Sequence, residues 1–239
     1  MGIKYAVNEK AFDTWSHKMS YVLGFIYADG TIFSTPSNRG KYMAVISIDK
    51  DLIEGIKSFL TSEHPIAIVI PPYTHHHTRY RLRIGSHKLY ESLIRRGLYP
   101  SKSLTIEMPN IPTQYLPDFI RGYFDGDGCV FIEKGRTKDK KRETIKRLRI
   151  IFTSGSKRFL EQLATLIAKN NFSSMVPVYN SHRSFQLRYS TAASIELFKV
   201  MYRNSKKPFY LSRKMNTFQN YFTLKPEKVD SKVRAIIMA

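Results

Sequence analysis

Tyr21-Val22-Leu23-Gly24-Phe25-Ile26-Tyr27-Ala28-Asp29-Gly30 is answered, about 100 residues later, by Phe119-Ile120-Arg121-Gly122-Tyr123-Phe124-Asp125-Gly126-Asp127-Gly128. Each copy has small residues at i and i+4 (Gly24 and Ala28; Gly122 and Gly126), then an acid, then a glycine. Leu23, Ile26 and Tyr27 recur at helical spacing, as do Ile120, Tyr123 and Phe124, so both segments are expected to be helices. Residues four apart share one helix face, and a face of small residues lets two backbones approach closely. A glycine inside a helix costs about 1 kcal/mol relative to alanine. Gly24, Gly122 and Gly126 therefore imply an interface, one motif helix against the other, that offsets this cost. Gly30 and Gly128 stand where a helix C-terminus favours a residue of positive φ.

Two such helices packed in parallel bring Asp29 and Asp127 together. Helix C-termini carry partial negative charge, so two carboxylates added there repel. Divalent cations relieve that repulsion, and hard oxygen ligands suit Mg²⁺, with Mn²⁺ and Ca²⁺ able to occupy the same sites. Paired metals about 3.5–4 Å apart promote in-line displacement at phosphodiesters. A single Asp-Gly is an ordinary helix stop. Two copies, each opening an equivalent unit, point to a site.

The flanks repeat as well. After the first motif the pattern predicts strands at 31–35 and 41–48, a helix from Asp49 to Leu60, strands near 66–70 and 78–85, and a helix from Ser86 to Arg96. After the second it predicts strands near 129–134 and 146–153, a helix at 156–169, strands near 174–179 and 183–190, and a helix at 191–203. The fold class is thus α+β, two pseudo-symmetric αββαββα repeats. The expected organisation is an N-terminal half over 1–103, a linker over 104–113 containing Pro109 and Pro112, and a C-terminal half over 114–239. Leu98-Tyr99-Pro100-Ser101-Lys102-Ser103 is echoed by Phe209-Tyr210-Leu211-Ser212-Arg213-Lys214. The residues after Tyr221 are read as a surface helix or a frayed tail, and Gly135 to Lys146 as a basic loop.

Lys and Arg number 39 against 19 acids, a formal charge of +20, which favours a polyanionic partner, nucleic acid first. With 42% hydrophobic residues the chain has material for a core. The single cysteine, Cys129, excludes an internal disulfide and a Cys₂-type zinc finger and fits a reducing, intracellular compartment; it is expected to be buried. No stretch approaches about 20 apolar residues, so no membrane-spanning helix is expected. Met1 to Glu9 lacks the apolar run of a secretory signal.

Arg79-Tyr80-Arg81-Leu82-Arg83-Ile84 alternates, so three arginines share one strand face. Arg147 and Arg149 alternate with Leu148 and Ile150, and Gln186 and Arg188 with Phe185, Leu187 and Tyr189. A sheet with one apolar and one basic face can lie in a major groove, where Arg pairs with guanine and Gln with adenine. Arg39, Lys41 and Arg183 are assigned to the same surface. Lys134, Arg136, Lys138 and Lys140 are assigned to phosphate contacts. Strands of this length follow roughly nine base pairs per half, a site on the order of 20 pairs. His75-His76-His77 is read as a surface loop or phosphate contact rather than a metal cluster, and Trp15 and Tyr21 as a staple on the first helix.

The paired motifs and their repeats resemble the LAGLIDADG homing endonucleases in their single-chain, two-motif form, along nearly the whole chain. The resemblance implies a monomer whose two halves join through the motif helices Gly24/Ala28 and Gly122/Gly126, with antiparallel sheets forming a saddle over double-stranded DNA. It implies metal ligation by Asp29 and Asp127, assisted by the carbonyls of Ala28 and Gly126. It implies polar groups near the site from the second strand of each half, Ser47 and Thr153 by parity, and a basic residue, with Lys102 and Lys214 as candidates from their matched positions. Many members carry a second acid where this chain has Tyr27; Asp125 keeps it in the second motif. That acid is not the family's metal ligand. Two rivals use the same scaffold: a catalytically silent DNA-binding regulator, and a maturase whose partner is host-intron RNA.

Overall fold

A computed structural model describes residues 5–35, 39–70, 77–136, 143–206 and 209–238. The N-terminal half runs α1 (His17–Asp29), β1 (Gly30–Ser34), β2 (Lys41–Ser47), α2 (Lys50–Phe59), β3 (Ile66–Val69), β4 (Arg79–Gly85) and α3 (His87–Arg95). The C-terminal half repeats it as α4 (Leu116–Asp127), β5 (Gly128–Arg136), β6 (Glu143–Ser154), α5 (Lys157–Lys169), β7 (Val178–Ser181), β8 (Ser184–Arg188) and α6 (Thr191–Tyr202). It then adds α7 (Ser212–Leu224) and α8 (Ser231–Ile237). Each half has one four-stranded antiparallel sheet, in the orders β1-β2-β4-β3 and β5-β6-β8-β7. The architecture is mixed α/β with the expected pseudo-symmetry.

Both motif helices lie in the core. Ser16 starts α1 by accepting from the Met19 N–H at 3.1 Å, and α1 is buried from Met19 through Tyr27. A helix apolar on all sides belongs inside. Pro117 in the first turn of α4 needs no N–H partner there. The two helices pack along each other at backbone contact: a Cβ on Gly24 would sit 2.2 Å from the Phe119 carbonyl oxygen, and one on Gly122 2.0 Å from that of Tyr21. The outer helices α2, α3, α5 and α6 cover the inner faces of the sheets.

Several expectations are corrected. Gly30 and Gly128 have φ of −84° and −93°, extended backbone open to any residue. Each motif helix runs straight into a strand, and glycine is required because a Cβ would meet the preceding turn, 2.7 Å from the Ile26 oxygen and 2.5 Å from that of Phe124. Cys129 is exposed. The strand expected near 174–179 begins only at Val178, after Pro177, which has no N–H for a ladder. The basic loop is shorter than expected, since β5 reaches Arg136 and β6 starts at Glu143. Of the two readings of the tail the surface helix holds: after Tyr221, Phe222 packs on Phe198 at 5.2 Å in a tilted arrangement, and α8 follows with Val233 as its buried residue. Tyr21 is no staple; its hydroxyl crosses the helix interface to Asp125. Trp15 stacks on Tyr115 instead. Among the described residues no helix is long and apolar enough to cross a membrane.

Candidate active site and nucleic-acid interface

Asp29 and Asp127 are the last residues of α1 and α4, where these helices touch. A Cβ on Gly126 would lie 2.4 Å from the Ala28 Cβ and 3.3 Å from Asp29 Oδ2, so one helix end abuts the other. Both carboxylates keep exposed surface. Their crowded setting nonetheless disfavours charge. Burial of the surroundings raises Asp29, against the pull of Lys214, Lys102 and Arg213. The same burial, with the Asp29 charge added, pushes Asp127 up to about 6, against Lys102 and Lys214. Like charges at one site behave this way. Among the described residues no group of three or more His, Cys, Asp and Glu side chains comes together.

Two buried lysines close the site from opposite halves. Lys102, in a single 3-10 turn over Lys102–Leu104, donates to the carbonyls of Tyr27 at 2.7 Å and Ala28 at 3.4 Å. Lys214, in the first turn of α7, donates to Asp125 O at 3.0 Å, to Gly128 O at 2.6 Å and to Phe124 O. Cations are favourable at helix C-termini, where carbonyls lack intrahelical partners. Burial pulls Lys214 down to about 8 and also lowers Lys102. The structure thus brings together Asp29, Asp127, Ala28, Gly126, Lys102 and Lys214.

Ser47 and Thr153 are not counterparts. Gly30 pairs with Val45, and Gly128 with Phe152, so Thr153 corresponds to Ile46 and Ser47 to Ser154. Ser47 lies on the inner face and accepts from the Asp49 N–H at 3.1 Å, as Ser154 accepts from that of Ser156 at 3.1 Å. Both serve the turn into the next helix. Thr153 lies on the outer face, and its carbonyl accepts from the Tyr123 hydroxyl at 2.8 Å.

Sequence reasoning missed Arg213, whose guanidinium reaches Asp49 of the other half at 3.1 Å and whose charge acts on Asp29. The echo of 98–103 in 209–214 carries a signal for it, since it aligns Lys102 with Arg213 rather than Lys214. It also missed the weight on Asp125, which is 1% exposed and accepts from the Tyr21 hydroxyl at 2.7 Å and the Leu211 N–H at 3.0 Å.

The strands that leave the site carry the basic faces. Arg79, Arg81 and Arg83 are exposed while Leu82 and Ile84 are buried. The Arg83 guanidinium lies 4.2 Å from the Tyr42 ring centre and 5.1 Å from that of Phe33, a cation–π arrangement that fixes its direction. In the second sheet Arg147 and Arg188 are exposed on the face they share with Arg149 and Gln186. Arg149 pairs with Glu133 at 3.1 Å. Arg188 donates to Gln186 at 2.9 Å and lies 5.2 Å over Tyr179. Arg39, Lys134, Arg136 and Arg183 are exposed, Arg183 in the β7–β8 turn at φ 53°. Lys41 is corrected: it shares the inner side with Met43 and Val45, pairs with Glu91 at 2.8 Å and lies over Tyr90. Lys138, Lys140, His75 and His76 lie outside the described residues.

Residues 115–200 match the family model of the LAGLIDADG-like domain. An uncharacterised protein of Methanocaldococcus jannaschii is 26% identical over 125 residues, half of this chain. The chain spans about two fifths of that relative's length. Among solved structures, the fold matches the LAGLIDADG homing endonuclease I-LtrWI bound to target DNA, at a TM-score of 0.56, 13% identity and 97% coverage of each chain. It matches the LAGLIDADG meganuclease I-AabMI bound to uncleaved DNA at 0.53, with 15% identity and coverage of 92% and 97%. It matches I-DmoI in complex with DNA and Mn at 0.51, with 20% identity and coverage of 83% and 100%; I-DmoI is also known with DNA and Ca. Residues 115–200 are thus similar to a LAGLIDADG-like domain, and the chain has the pseudo-symmetric LAGLIDADG fold.

Proposed function

We propose that this chain is a site-specific endonuclease that uses a divalent metal to hydrolyse one phosphodiester on each strand of a long, asymmetric DNA target. The observation that carries the proposal is the meeting of Asp29 and Asp127 at two abutting helix ends, at the root of two sheets with arginine-rich outer faces. The similar I-LtrWI and I-DmoI structures hold DNA, and those of I-DmoI hold Mn or Ca as well, which supports the same class of substrate and cofactor here.

The donor set fits a hard divalent cation. It consists of two carboxylates that keep exposed surface, both raised by burial and Asp127 further by the Asp29 charge. Mg²⁺ is commonly held by one or two carboxylates, with water and substrate phosphate completing its sphere. Asp29 and Asp127 would be the ligands, with the Gly126 and Ala28 carbonyls beside them. When bound, the metal supplies Lewis-acid stabilisation of phosphate oxygens and lowers the pKa of water.

The chain's own residues do the rest. Lys102 and Lys214 hold positive charge where a phosphodiester gains negative charge on its way to cleavage, and their buried, carbonyl-bound ammonium groups need little reorganisation. Arg79, Arg81, Arg83, Arg147, Arg149, Gln186 and Arg188 read base edges, and Arg39, Lys134, Arg136 and Arg183 contact phosphates. The halves, 1–103 and 114–239 joined by 104–113, differ in these residues, so the target is asymmetric and one chain suffices. The test is cleavage selection on a randomised DNA library with Mg²⁺, paired with an EDTA control. The proposal expects one long motif to be cut only with metal. Binding of a motif without scission in Mg²⁺ or Mn²⁺ would overturn it in favour of a silent DNA-binding regulator.

A further inference from the structure

The position held by Asp125 in the second motif and Tyr27 in the first is used differently in the two halves. Asp125 lies inside the protein, against the start of α7. Its Oδ2 accepts the Leu211 N–H at 3.0 Å, and Leu211 opens α7 with no side-chain cap of its own. One turn earlier on the same face of α4, the Arg121 Nε donates to the Phe209 carbonyl at 3.0 Å. Arg121 and Asp125 thus grip the two ends of Phe209–Leu211. The grip ends three residues before Lys214, which then reaches the Phe124, Asp125 and Gly128 carbonyls. A carboxylate near a helix N-terminus is also electrostatically favourable.

The first half has no such device among its described residues. The Tyr27 hydroxyl donates upstream, to the Arg96 carbonyl at 2.6 Å. Lys102 rides on one 3-10 turn, directly after Ser101 in the left-handed region at φ 59°. The two lysines also serve different helices: Lys102 is bonded to the carbonyls that end α1, and Lys214 to those that end α4.

We propose that Asp125 is a positioning residue: it fixes the start of α7 and so holds Lys214 at the active site, which makes cleavage of one DNA strand depend on an anchor that the other strand's cleavage does not use. This rests on the endonuclease reading. It assigns a role to an acid that touches neither substrate nor metal, and it makes Tyr27 a difference in support between the halves rather than a loss.

The test has two arms. In the first, amide hydrogen exchange is measured on the full chain, wild type against Asp125→Ala and Asp125→Asn. Asparagine keeps an oxygen that can accept both bonds. The expectation is exchange at least tenfold faster across the first turn of α7 in the alanine variant, with the first half unchanged and the asparagine variant within threefold of wild type. Unchanged exchange in the alanine variant overturns the inference without any activity measurement. In the second, the two strands of a selected target are end-labelled separately and their cleavage rates compared at saturating protein. Asp125→Ala is expected to shift the ratio of the two rates at least tenfold, in the same sense as Lys214→Met and opposite to Lys102→Met. Asp125→Asn should keep the ratio near wild type. General destabilisation lowers the active fraction and slows both strands equally, so an unchanged ratio overturns the inference. A wild-type protein that cuts neither strand refutes the endonuclease reading itself and leaves the exchange arm to decide the anchor.

Discussion

Replacing Gly122 by alanine sets two effects of opposite sign against each other. Alanine gains about 1 kcal/mol over glycine inside a helix, so a Gly122 that made no close contact would yield a more stable protein. In the structure the new Cβ falls 2.0 Å from the Tyr21 carbonyl oxygen and 2.9 Å from the Phe25 nitrogen, both backbone atoms of α1. An ordinary carbon–oxygen contact needs about 3.3 Å, so the helices must part by over ~1 Å here. No side chain can rotate away, and Gly24 against Phe119 O is as tight, so α1 and α4 must separate along their length. Overpacking of this kind costs about 1–3 kcal/mol, and with backbone on both sides the upper end applies. The net is a loss of roughly 2 kcal/mol after the helical gain. At about 2–4 °C per kcal/mol for a chain of this size, Tm falls by roughly 4–8 °C. Differential scanning calorimetry in EDTA reads it. Because the same separation moves Asp29 from Asp127, cleavage should fall further than the folded fraction does. A Tm equal to wild type or higher would refute the claim that the motif glycines exist for backbone contact.

In metal-free protein the raised pKa of Asp127, about 6 against an ordinary 3.8, means the native state holds this proton more tightly than the unfolded chain. Its contribution to stability is therefore present at low pH and is lost as pH rises through 4 to 6. The stability advantage of Asp127→Asn over wild type should grow across that window and then level off, read by thermal melts in EDTA; a difference constant in pH would contradict it. Lys102→Met and Lys214→Met should each slow cleavage by about 100-fold, the usual scale for losing a preorganised charge donor, with target affinity retained in gel-shift titrations. Arg83→Ala should relax selectivity at one base pair and cost about 1–3 kcal/mol of binding. Lys41→Ala, on the inner face, should leave both affinity and its salt dependence as they are.

The motif helices were legible because their glycines have no local rationale: three in helical interiors make sense only against another helix, whose backbone Gly24 and Gly122 meet and whose Ala28 and Asp29 side chains Gly126 meets. The carboxylate pair followed from that packing. Strand register was not legible. Counting parity put Ser47 opposite Thr153, but the pairing of Gly30 with Val45 and of Gly128 with Phe152 shifts the equivalence by one residue and turns Ser47 inward. A shift of one residue exchanges the faces of a strand. Glycine at 30 and 128 was identified correctly and explained wrongly, because composition does not distinguish a need for positive φ from a need to omit a Cβ. Asp125 and α7 were hidden for a different reason. Their bond joins residues 86 apart through a backbone N–H, which leaves no mark in side-chain pattern, and the one-residue offset between Lys102 and Lys214 breaks the linear echo.

The central claim is that Asp29 and Asp127 form one site for phosphodiester hydrolysis at the junction of the motif helices. Its most direct test is single-turnover cleavage of a selected target by Asp29→Asn and Asp127→Asn in Mg²⁺, with binding measured on the same DNA. The account predicts that either substitution abolishes double-strand cleavage while target affinity stays within a few-fold of wild type. Full double-strand cleavage by either variant would contradict it.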